Sequence, residues 1–403
     1  MQNARRRPDL IYLDHQATTP CDPRVVDAMA PYWTREFGNA ASRTHAFGWR
    51  AEEAVESARG EVAQLIGADS REIVFTSGAT ESNNLALLGL ARAERERGAH
   101  IVTCRTEHRA VLDPLDALEK QGFRVTRLPV DSDGLIELDD LRRALDARTI
   151  LVSVMHVNNE IGVVQPLEEI GRLAHEQGVL FHTDAAQSAG KLSLDVDRLG
   201  VDLLSLTGHK LYGPKGIGAL YVRRRSPALR LVPLLHGGGH ERGLRSGTLP
   251  VPLCVGLGHA CQLAREGYEG EAQHVGRLRD RLWDGLSREL KEVWLNGHPE
   301  RRLPGNLNVS FVGLEAQALL AALPDVALSS GSACTSASPE PSHVIRALGV
   351  DRARALGAVR FGIGRSNTEQ EIDAVVELLI QEVGRIRAMS PHWQESPRAR
   401  SRA

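Results

Sequence analysis

The sequence predicts an α/β protein in which helices cover a mostly parallel β-sheet. Between about residues 70 and 225, short apolar runs alternate with segments of helical periodicity. The runs are four to seven residues long, which is the length of buried strands, and a helical pattern separates most of them. This alternation is typical of parallel βαβ units. After about residue 262, a charged helical stretch leads into short strands and helices, and this change predicts a smaller C-terminal α+β domain.

Seven apolar runs are predicted as strands of the large sheet, at 72–75, 100–104, 123–128, 149–155, 179–184, 202–206 and 218–222. Helical periodicity lies between most of them, for instance at 83–97 and 167–178. Ligands of such sheets lie beyond the carboxyl ends of the strands. Residues with useful chemistry stand at or just past these ends and are expected to converge: Thr76, Ser77, Gly78, Ala79, Thr80, His108, Asn159, Asp184 and Lys210.

The length of 403 residues suits two domains. The large, ligand-binding domain is predicted over residues 14–262. Residues 1–13 are predicted to join 263–390 in the small domain. The last segment, 391–403, is polar and rich in Pro and Arg, so it is predicted to be disordered.

Composition excludes several classes of protein. The formal net charge of −2 argues against nucleic-acid binding as the main activity. No apolar run approaches the ~18 residues of a membrane span, and the N-terminus lacks the apolar segment of a secretory signal. Five cysteines without a CxxC spacing disfavour a disulfide framework and a zinc site. We therefore expect a cytoplasmic protein without a resident metal.

A lysine and an aspartate at two strand ends form the pair that pyridoxal phosphate chemistry requires. Lys210, in TGHKLYG, follows Asp184, in FHTDAAQ, by 26 positions. A lysine amine forms a Schiff base with an aldehyde, and an aspartate beside the protonated pyridine nitrogen keeps the ring an electron sink. Taken singly, the two residues have plainer interpretations, an exposed salt-bridging lysine and a capping or surface aspartate. Together they predict a pyridoxal phosphate site.

The segment TSGATESNN, residues 76–84, is a candidate phosphate site. Its small residues allow a ligand to approach the backbone, and N–H groups at a helix start attract anions. Ordinary helix capping by Ser or Thr is the alternative. The P-loop pattern GxxxxGK[ST] is absent, and the glycine-rich stretches 213–218 and 237–243 lack the strand–turn–helix context of a dinucleotide site. Thr207 and His209 are further candidate phosphate donors.

Three more residues are candidates for the same site when they are considered together with the residues above. His108 follows a predicted strand and could stack on a pyridine ring and exchange protons, or simply face solvent. Cys334 lies in LSSGSACTSASPEPS, a run without core-forming residues that predicts a mobile loop over about 328–341. A thiol there suggests sulfur chemistry, with a fortuitous free cysteine as the alternative. Arg360 could hold a substrate carboxylate bidentately, or be a surface charge.

Segments along nearly the whole chain resemble one family. They are DHQATTP, FGNAASRTH, IVFTSGATES, TEHRAVLD, MHVNNEIGVVQ, HTDAAQS, TGHKLYGPKGIGALYVRR, GGGHERGLRSGTLPVP, SSGSACTSAS and VRFGIGR. The chain is similar in them to the cysteine desulfurases, pyridoxal-phosphate enzymes of aminotransferase class V on the type I fold of pyridoxal-phosphate-dependent transferases. The long cysteine loop resembles that of the housekeeping, iron–sulfur group.

The resemblance implies a role for each matching residue. Lys210 would hold the cofactor aldehyde, Asp184 the ring nitrogen, and His108 would stack on the ring and move protons. The other implied roles are a phosphate site at Ala79, Thr80, Thr207, Gly208 and His209, contacts of Asn159 and Gln187 with the phenolic oxygen or the substrate, a contact of Thr248 with the phosphate of a partner subunit, a carboxylate site at Arg360, and a persulfide on Cys334.

The implied activity converts L-cysteine to L-alanine through a ketimine of pyridoxal 5'-phosphate, with the sulfur passed to Cys334. A homodimer would deliver this sulfur to an iron–sulfur scaffold protein and to other acceptors, including those of tRNA thiolation. Cys334 is also a possible transient ligand of an iron–sulfur cluster held with a partner.

The alternatives are a selenocysteine lyase, a cysteine-sulfinate desulfinase or an aminotransferase of the same fold, and a non-catalytic sulfur-transfer scaffold. The chain departs from the family pattern at His15-Gln16, Ala186, Thr207 and the C-terminal tail. None of these departures removes a reacting group.

Overall fold

The computed structural model describes residues 10–225, 228–330, 340–389 and Trp393. Cys334 and most of the predicted cysteine loop lie outside these residues. So does the segment 391–403 predicted to be disordered, apart from Trp393. The strands are β1 (Ile11–Tyr12), β2 (Ile73–Thr76), β3 (His100–Cys104), β4 (Arg124–Leu128), β5 (Thr149–Ser153), β6 (Leu180–Asp184), β7 (Leu203–Thr207), β8 (Gly218–Val222), β9 (Val293–Leu295), β10 (Asn306–Phe311), β11 (Val326–Ala327) and β12 (Ala358–Gly362).

The helices lie between these strands and after them. They are α1 (Pro23–Met29), α2 (Pro31–Thr34), α3 (Ala46–Ile66), α4 (Ala79–Asn84), α5 (Leu90–Ala93), α6 (Arg109–Glu119), α7 (Leu138–Ala144), α8 (Leu167–Glu176), α9 (Val251–Glu289), α10 (Ala316–Ala322), α11 (His343–Ala347), α12 (Arg352–Leu356) and α13 (Glu369–Met389). A π-helical turn, Leu85–Gly89, joins α4 to α5. None of the helices in the described ranges combines the length and hydrophobicity that a membrane span requires.

The main sheet has seven strands in the order β2-β8-β7-β6-β5-β3-β4. The pairs from β7 through β4 are parallel, and β8 runs antiparallel to both of its neighbours. β3, β5, β6 and β7 are buried along their whole length, as expected for strands covered on both faces. The predicted mostly parallel α/β sheet is confirmed, and all seven predicted strands occur within one or two residues of their predicted limits.

The longest helix connects two hydrophobic cores. The first part of α9 is apolar and packs with α3 beside the main sheet, through Cys254, Leu257 and Cys261. Its later residues Val275 and Leu282 pack in a second core with strands β10 and β12. The predicted charged helix therefore begins earlier than expected, at Val251, because the apolar stretch before residue 262 continues it. The division of the chain at residue 262 stays a prediction.

The N-terminal strand lies with the second core. β1 pairs in parallel with β11, and Leu13 is fully buried there. β12, β10 and β9 form a three-stranded antiparallel sheet in the same region. His15 and Gln16 then tie the chain to this sheet, through His15 Nδ1 and the Gly362 carbonyl (3.0 Å) and through Gln16 Nε2 and the Gly305 carbonyl (3.2 Å). The departure from the family pattern at these two positions is thus packed between the two cores.

Buried histidines predict the acid sensitivity of the fold. His182, in the centre of β6, lies between the hydroxyls of Ser153 (2.9 Å) and Ser205 (3.1 Å). Burial lowers the pKa of His182 to about 4, from the ordinary value of 6.5. Because the unfolded chain binds the extra proton first, this histidine stabilises the fold fully above pH 6.5 and ever less as the pH falls toward 4.

Between pH 7.5 and pH 5, we expect the free energy of unfolding of His182→Gln to fall by about 2 kcal/mol less than that of the wild type. The measurement is urea unfolding of wild type and variant at both pH values and at one protein concentration. Equal pH-dependent losses in the two proteins would contradict the assignment, whatever their difference at pH 7.5.

Candidate active site

One pocket gathers most of the predicted site residues at the carboxyl ends of the parallel strands. Its volume is about 1160 Å³, part of it open to solvent. Its walls come from the ends of β2, β6 and β7 and from the segments that follow β3 and β5. The predicted residues that line it are Ala79, Thr80, His108, Asn159, Asp184, Gln187, Thr207, His209 and Lys210. The convergence expected from the strand ends therefore occurs.

Asp184, the last residue of β6, is buried and held in a fixed orientation. Its Oδ1 accepts a hydrogen bond from the Ala186 N–H at 2.9 Å, and its Oδ2 accepts one from Asn83 Nδ2 at 2.7 Å. The Asn83 Oδ1 atom is buried and has no hydrogen-bond partner among the described residues. A carboxylate held in this way on the wall of a pocket can accept a hydrogen bond from a protonated ring nitrogen.

The start of α4 presents backbone N–H groups to the pocket. Gly78 precedes the helix with φ 149°, a conformation that favours glycine, and no side chain caps the helix there. Ordinary capping by Ser or Thr, the alternative for this segment, is therefore wrong for α4. The first N–H groups of a helix have no intrahelical acceptor, so those of Ala79 and Thr80 suit an anion.

His108 caps α6 and lies in the pocket at the same time. Its Nδ1 accepts the Ala110 N–H at 3.1 Å, which leaves Nε2 as the proton-bearing nitrogen of the neutral ring. Burial lowers the pKa of His108, as do the charges of Lys210 and His343, while Asp184 acts in the opposite direction. A neutral histidine with a defined tautomer is suited to giving or accepting a proton near neutral pH.

Lys210 ends a short 3₁₀ turn, Gly208–Lys210, directly after β7. Its neighbour His209 bonds to the Thr18 hydroxyl through Nδ1 at 3.1 Å, and the His209 carbonyl accepts the Thr19 N–H at 2.8 Å. Burial and then the nearby lysines lower the pKa of His209 to about 4, so its ring is neutral at pH 7. The turn is therefore fixed to the N-terminal segment and aims a lysine into the pocket.

Gln187 and Thr207 complete the polar lining. Gln187 Nε2 donates to the Gln16 carbonyl at 3.0 Å, whereas its Oε1 is buried without a partner in the described chain. The Thr207 hydroxyl lies beside the Gly78 backbone, 3.6 Å from where a β-carbon on Gly78 would be. Buried polar atoms are rarely left unsatisfied, so Asn83 and Gln187 indicate a polar ligand in this pocket.

Arg360 occupies a different place from the other predicted residues. The side chain, 2% exposed, lies on β12 and does not line the pocket. Its Nη1 donates to the Asn159 carbonyl at 2.7 Å, and its Nη2 pairs with Asp14 Oδ1 at 2.7 Å. The surface-charge alternative is therefore wrong. The Nε atom has no partner among the described residues, so one edge of the guanidinium retains hydrogen-bonding capacity.

Two further predicted residues lie outside the pocket. Gly208 is buried in the turn before Lys210 and does not line the pocket. Thr248 is exposed, in a segment that Arg245 fastens to Glu81 of α4 through Nε and Oε1 at 2.9 Å. Cys334 falls outside the described residues.

Asn83, which lines the pocket, and Glu107, which lies beside it, were missed from the sequence. Asn83 follows Ala79 by four positions, so helical periodicity places both on one face of α4, and this signal would have found it. Glu107 is fully buried next to His108, and its Oε1 accepts the Met155 N–H at 2.6 Å. Burial raises the pKa of Glu107 well above its ordinary value, with the Asp184 charge acting in the same direction. Nothing in the local pattern distinguishes this glutamate from a surface one.

Comparison with known proteins identifies the family. A family model described as aminotransferase class-V matches residues 11–375. The chain belongs to the class-V aminotransferases. It is similar to the cysteine desulfurase IscS of Anaeromyxobacter dehalogenans (strain 2CP-C), with 58% identity over 384 residues that cover 95% of each chain.

Two solved structures are similar to this chain along nearly their whole length. One is a NifS-like protein, with a TM-score of 0.87 and 37% identity over 93% of this chain and 99% of that one. The other is SspA in complex with cysteine, with a TM-score of 0.79 and 39% identity over 89% and 100% of the two chains. The predicted resemblance and the predicted fold of pyridoxal-phosphate-dependent transferases are thereby confirmed.

Class-V aminotransferases of this type use pyridoxal phosphate, and the pocket fits that group. The groups that line it suit a phosphorylated pyridine aldehyde. Helix N–H groups can bind the phosphate, the buried carboxylate can bind the ring nitrogen, and a lysine can bind the aldehyde. The unsatisfied oxygens of Asn83 and Gln187 add polar partners.

Proposed function

We propose that this protein is a cysteine desulfurase that converts L-cysteine to L-alanine and passes the sulfur to Cys334. The observation that carries the proposal is the meeting of Lys210, Asp184 and His108 in one pocket of a chain that is 58% identical to a cysteine desulfurase. The reaction is balanced as L-cysteine plus the Cys334 thiol giving L-alanine plus a Cys334 persulfide.

Pyridoxal phosphate, when bound, supplies an electron sink for the charge that develops at the substrate Cα. The N–H groups of Ala79 and Thr80, with Thr207 and His209, hold its phosphate, and Gly208 gives the turn its tight backbone. Asp184 keeps a proton on the ring nitrogen, oriented by Asn83. Asn159 and Gln187 contact the phenolic oxygen or the substrate.

Lys210 has two tasks in this scheme. Its Nζ would hold the cofactor through the aldehyde. As a free amine, it is placed to take the proton from the substrate Cα and to return one. His108 lies on the same pocket wall with its proton on Nε2, so it is placed to donate to or accept from the substrate sulfur.

The sulfur step needs an anionic nucleophile. The Cys334 thiolate attacks the substrate sulfur, a new S–S bond forms and the Cβ–S bond breaks, with its electron pair returning to the carbon skeleton. Protonation of that carbon yields alanine. The partly unsatisfied Arg360 guanidinium next to Asn159 is the group that binds the substrate carboxylate.

Delivery of the sulfur completes the proposed function. The acceptors are an iron–sulfur scaffold protein and other sulfur-accepting proteins, which is the role implied by similarity to IscS. Thr248 is exposed and lies outside the pocket of its own chain. This position supports a homodimer in which Thr248 contacts the cofactor phosphate bound by the partner subunit. The part of the chain that the structure describes has four free cysteines, which supports a reducing, cytoplasmic location: Cys21, Cys104, Cys254 and Cys261.

Cys334→Ala is the test of this function. We expect the variant to bind pyridoxal phosphate and L-cysteine but to form alanine about 100-fold or more slowly, because the nucleophile is gone. The measurements are alanine release with a thiol reductant and peptide mass spectrometry of the sulfur added by one equivalent of L-cysteine.

The matched control is Cys21→Ala, which removes a partly exposed thiol elsewhere in the chain. This control should still gain one sulfur, on the peptide that contains Cys334. Unchanged alanine release by Cys334→Ala, or sulfur found on another cysteine in the wild type, would refute the assignment.

A further inference from the structure

A second lysine lies on the far side of the turn that carries Lys210. Lys191 lines a pocket of about 370 Å³ together with His15, Tyr212 and Glu271. The backbone beside it is close to the Lys210 turn, since a β-carbon on Gly190 would be 3.2 Å from the β-carbon of Leu211. None of the roles assigned above uses this side chain.

Lys191 carries a charge that no acid neutralises directly. Among the described residues, its amine makes no hydrogen bond and no ion pair within 4.0 Å, although part of the side chain faces the pocket. Glu271 is the acid that lines this pocket, and its nearest ion-pair contact is with Arg365, at 3.9 Å. A half-buried cation without a partner raises the energy of every other cation nearby.

Lys210 is one of the cations that it affects. Burial is the main cause that lowers the pKa of Lys191 to about 8, and the charge of Lys210 is the next. The interaction between two charges is mutual, so Lys191 acts on Lys210 as Lys210 acts on it. With a pKa of about 8, Lys191 is mostly protonated at pH 7 and loses its charge in more alkaline solution.

We propose that Lys191 is an electrostatic partner of Lys210, whose positive charge favours the neutral, proton-accepting form of the Lys210 amine. The inference rests on the proposed function, in which that amine binds the aldehyde and takes the Cα proton. Lys191 acts through Lys210 and touches neither substrate nor cofactor, so it is a positioning residue. A neighbouring cation is an effective way to activate a lysine.

The other charged groups around Lys191 set the size of the effect. Glu271 of α9 favours the charged form of Lys191, whereas Arg360 of β12 disfavours it, as Lys210 does. His15 contributes no charge at pH 7, because burial lowers its pKa to about 4, and His209 is likewise neutral. Arg365, stacked 3.7 Å from the Tyr212 ring, pairs with Asp22 and faces Glu271. Lys191 is thus the lysine of this pocket whose charge is coupled to that of Lys210.

The test is a pH titration of the holoenzyme in which the visible absorbance of the lysine-bound cofactor is followed. Lys191→Met should raise the pKa of the Lys210-linked transition by roughly 0.5–1.5 units, as expected for removing one charge at an effective dielectric of ~20. Lys191→Arg keeps the charge and should stay closer to the wild type. Lys120→Met, at an exposed lysine after α6, should leave the transition unchanged.

Two outcomes separate this inference from the proposed function. If the variant holds the cofactor on Lys210 with the wild-type transition, the inference is overturned while the function stands. If the wild type holds no cofactor on Lys210, the function itself fails.

Should Lys191→Met not fold, competitive acetylation of wild-type apoprotein followed by peptide mass spectrometry decides the matter. The Lys210 amine should titrate below the ordinary lysine value of about 10.4. A value at or above it refutes the inference.

Discussion

Lys210→Ala is expected to abolish covalent attachment of pyridoxal phosphate and to slow alanine formation by roughly 10²–10⁴-fold, because the base for the Cα proton is lost. The side chain stands directly after β7 in the pocket that also holds Asp184 and His108. The measurement is borohydride reduction of the loaded protein, followed by mass spectrometry of the lysine-containing peptides.

The control for this experiment is Lys215→Ala, which removes another lysine from the wall of the same pocket. This variant should still be labelled at Lys210 after reduction. Label on Lys215 in the wild type, or full alanine formation by Lys210→Ala, would show that a different amine carries the cofactor.

The largest effect on stability is expected from Glu241→Ala. Glu241 is buried and pairs bidentately with Arg59, with Nη1–Oε2 at 2.7 Å and Nη2–Oε1 at 2.8 Å. Its Oε2 also accepts the Phe75 N–H at 2.7 Å. Removal leaves the buried Arg59 with the exposed Glu56 (Nε–Oε1, 3.0 Å) as its one remaining ion-pair partner among the described residues, so we expect a loss of about 3 kcal/mol in the free energy of unfolding.

Urea unfolding of Glu241→Ala, Arg59→Met and the double variant measures this coupling. The double variant should lose less stability than the sum of the single variants, because neither charge is then left alone. If Glu241→Ala lost less than about 1 kcal/mol in the free energy of unfolding, the ion pair would contribute no more than a weak surface salt bridge.

The elements of the main sheet were predictable because their signal is local. Strands β3 and β8 begin and end at the predicted residues, since each is a short apolar run between polar residues. The start of α9 was not predicted, because an apolar stretch before a charged one does not reveal that a single helix passes from one core to another.

The same division holds for the pocket. Asp184 and Lys210 were predictable, because each follows a recognisable strand and parallel strands end at a common edge. The ion pair of Arg360 with Asp14 joins residues 346 positions apart, and no local pattern encodes it. Lys191 looks like a surface lysine in the sequence and is placed beside the Lys210 turn only by packing.

The order of residues along the chain by itself determined the sheet, the family and the chemical groups of the site. These follow from periodicity and from short motifs, in which neighbours in sequence carry the information. The tertiary structure alone decided which oxygen meets which nitrogen, which charges are buried and which of them lack a partner. The physical reason is that desolvation and Coulomb energy depend on the distances between segments remote in sequence, and only the folded chain sets those distances.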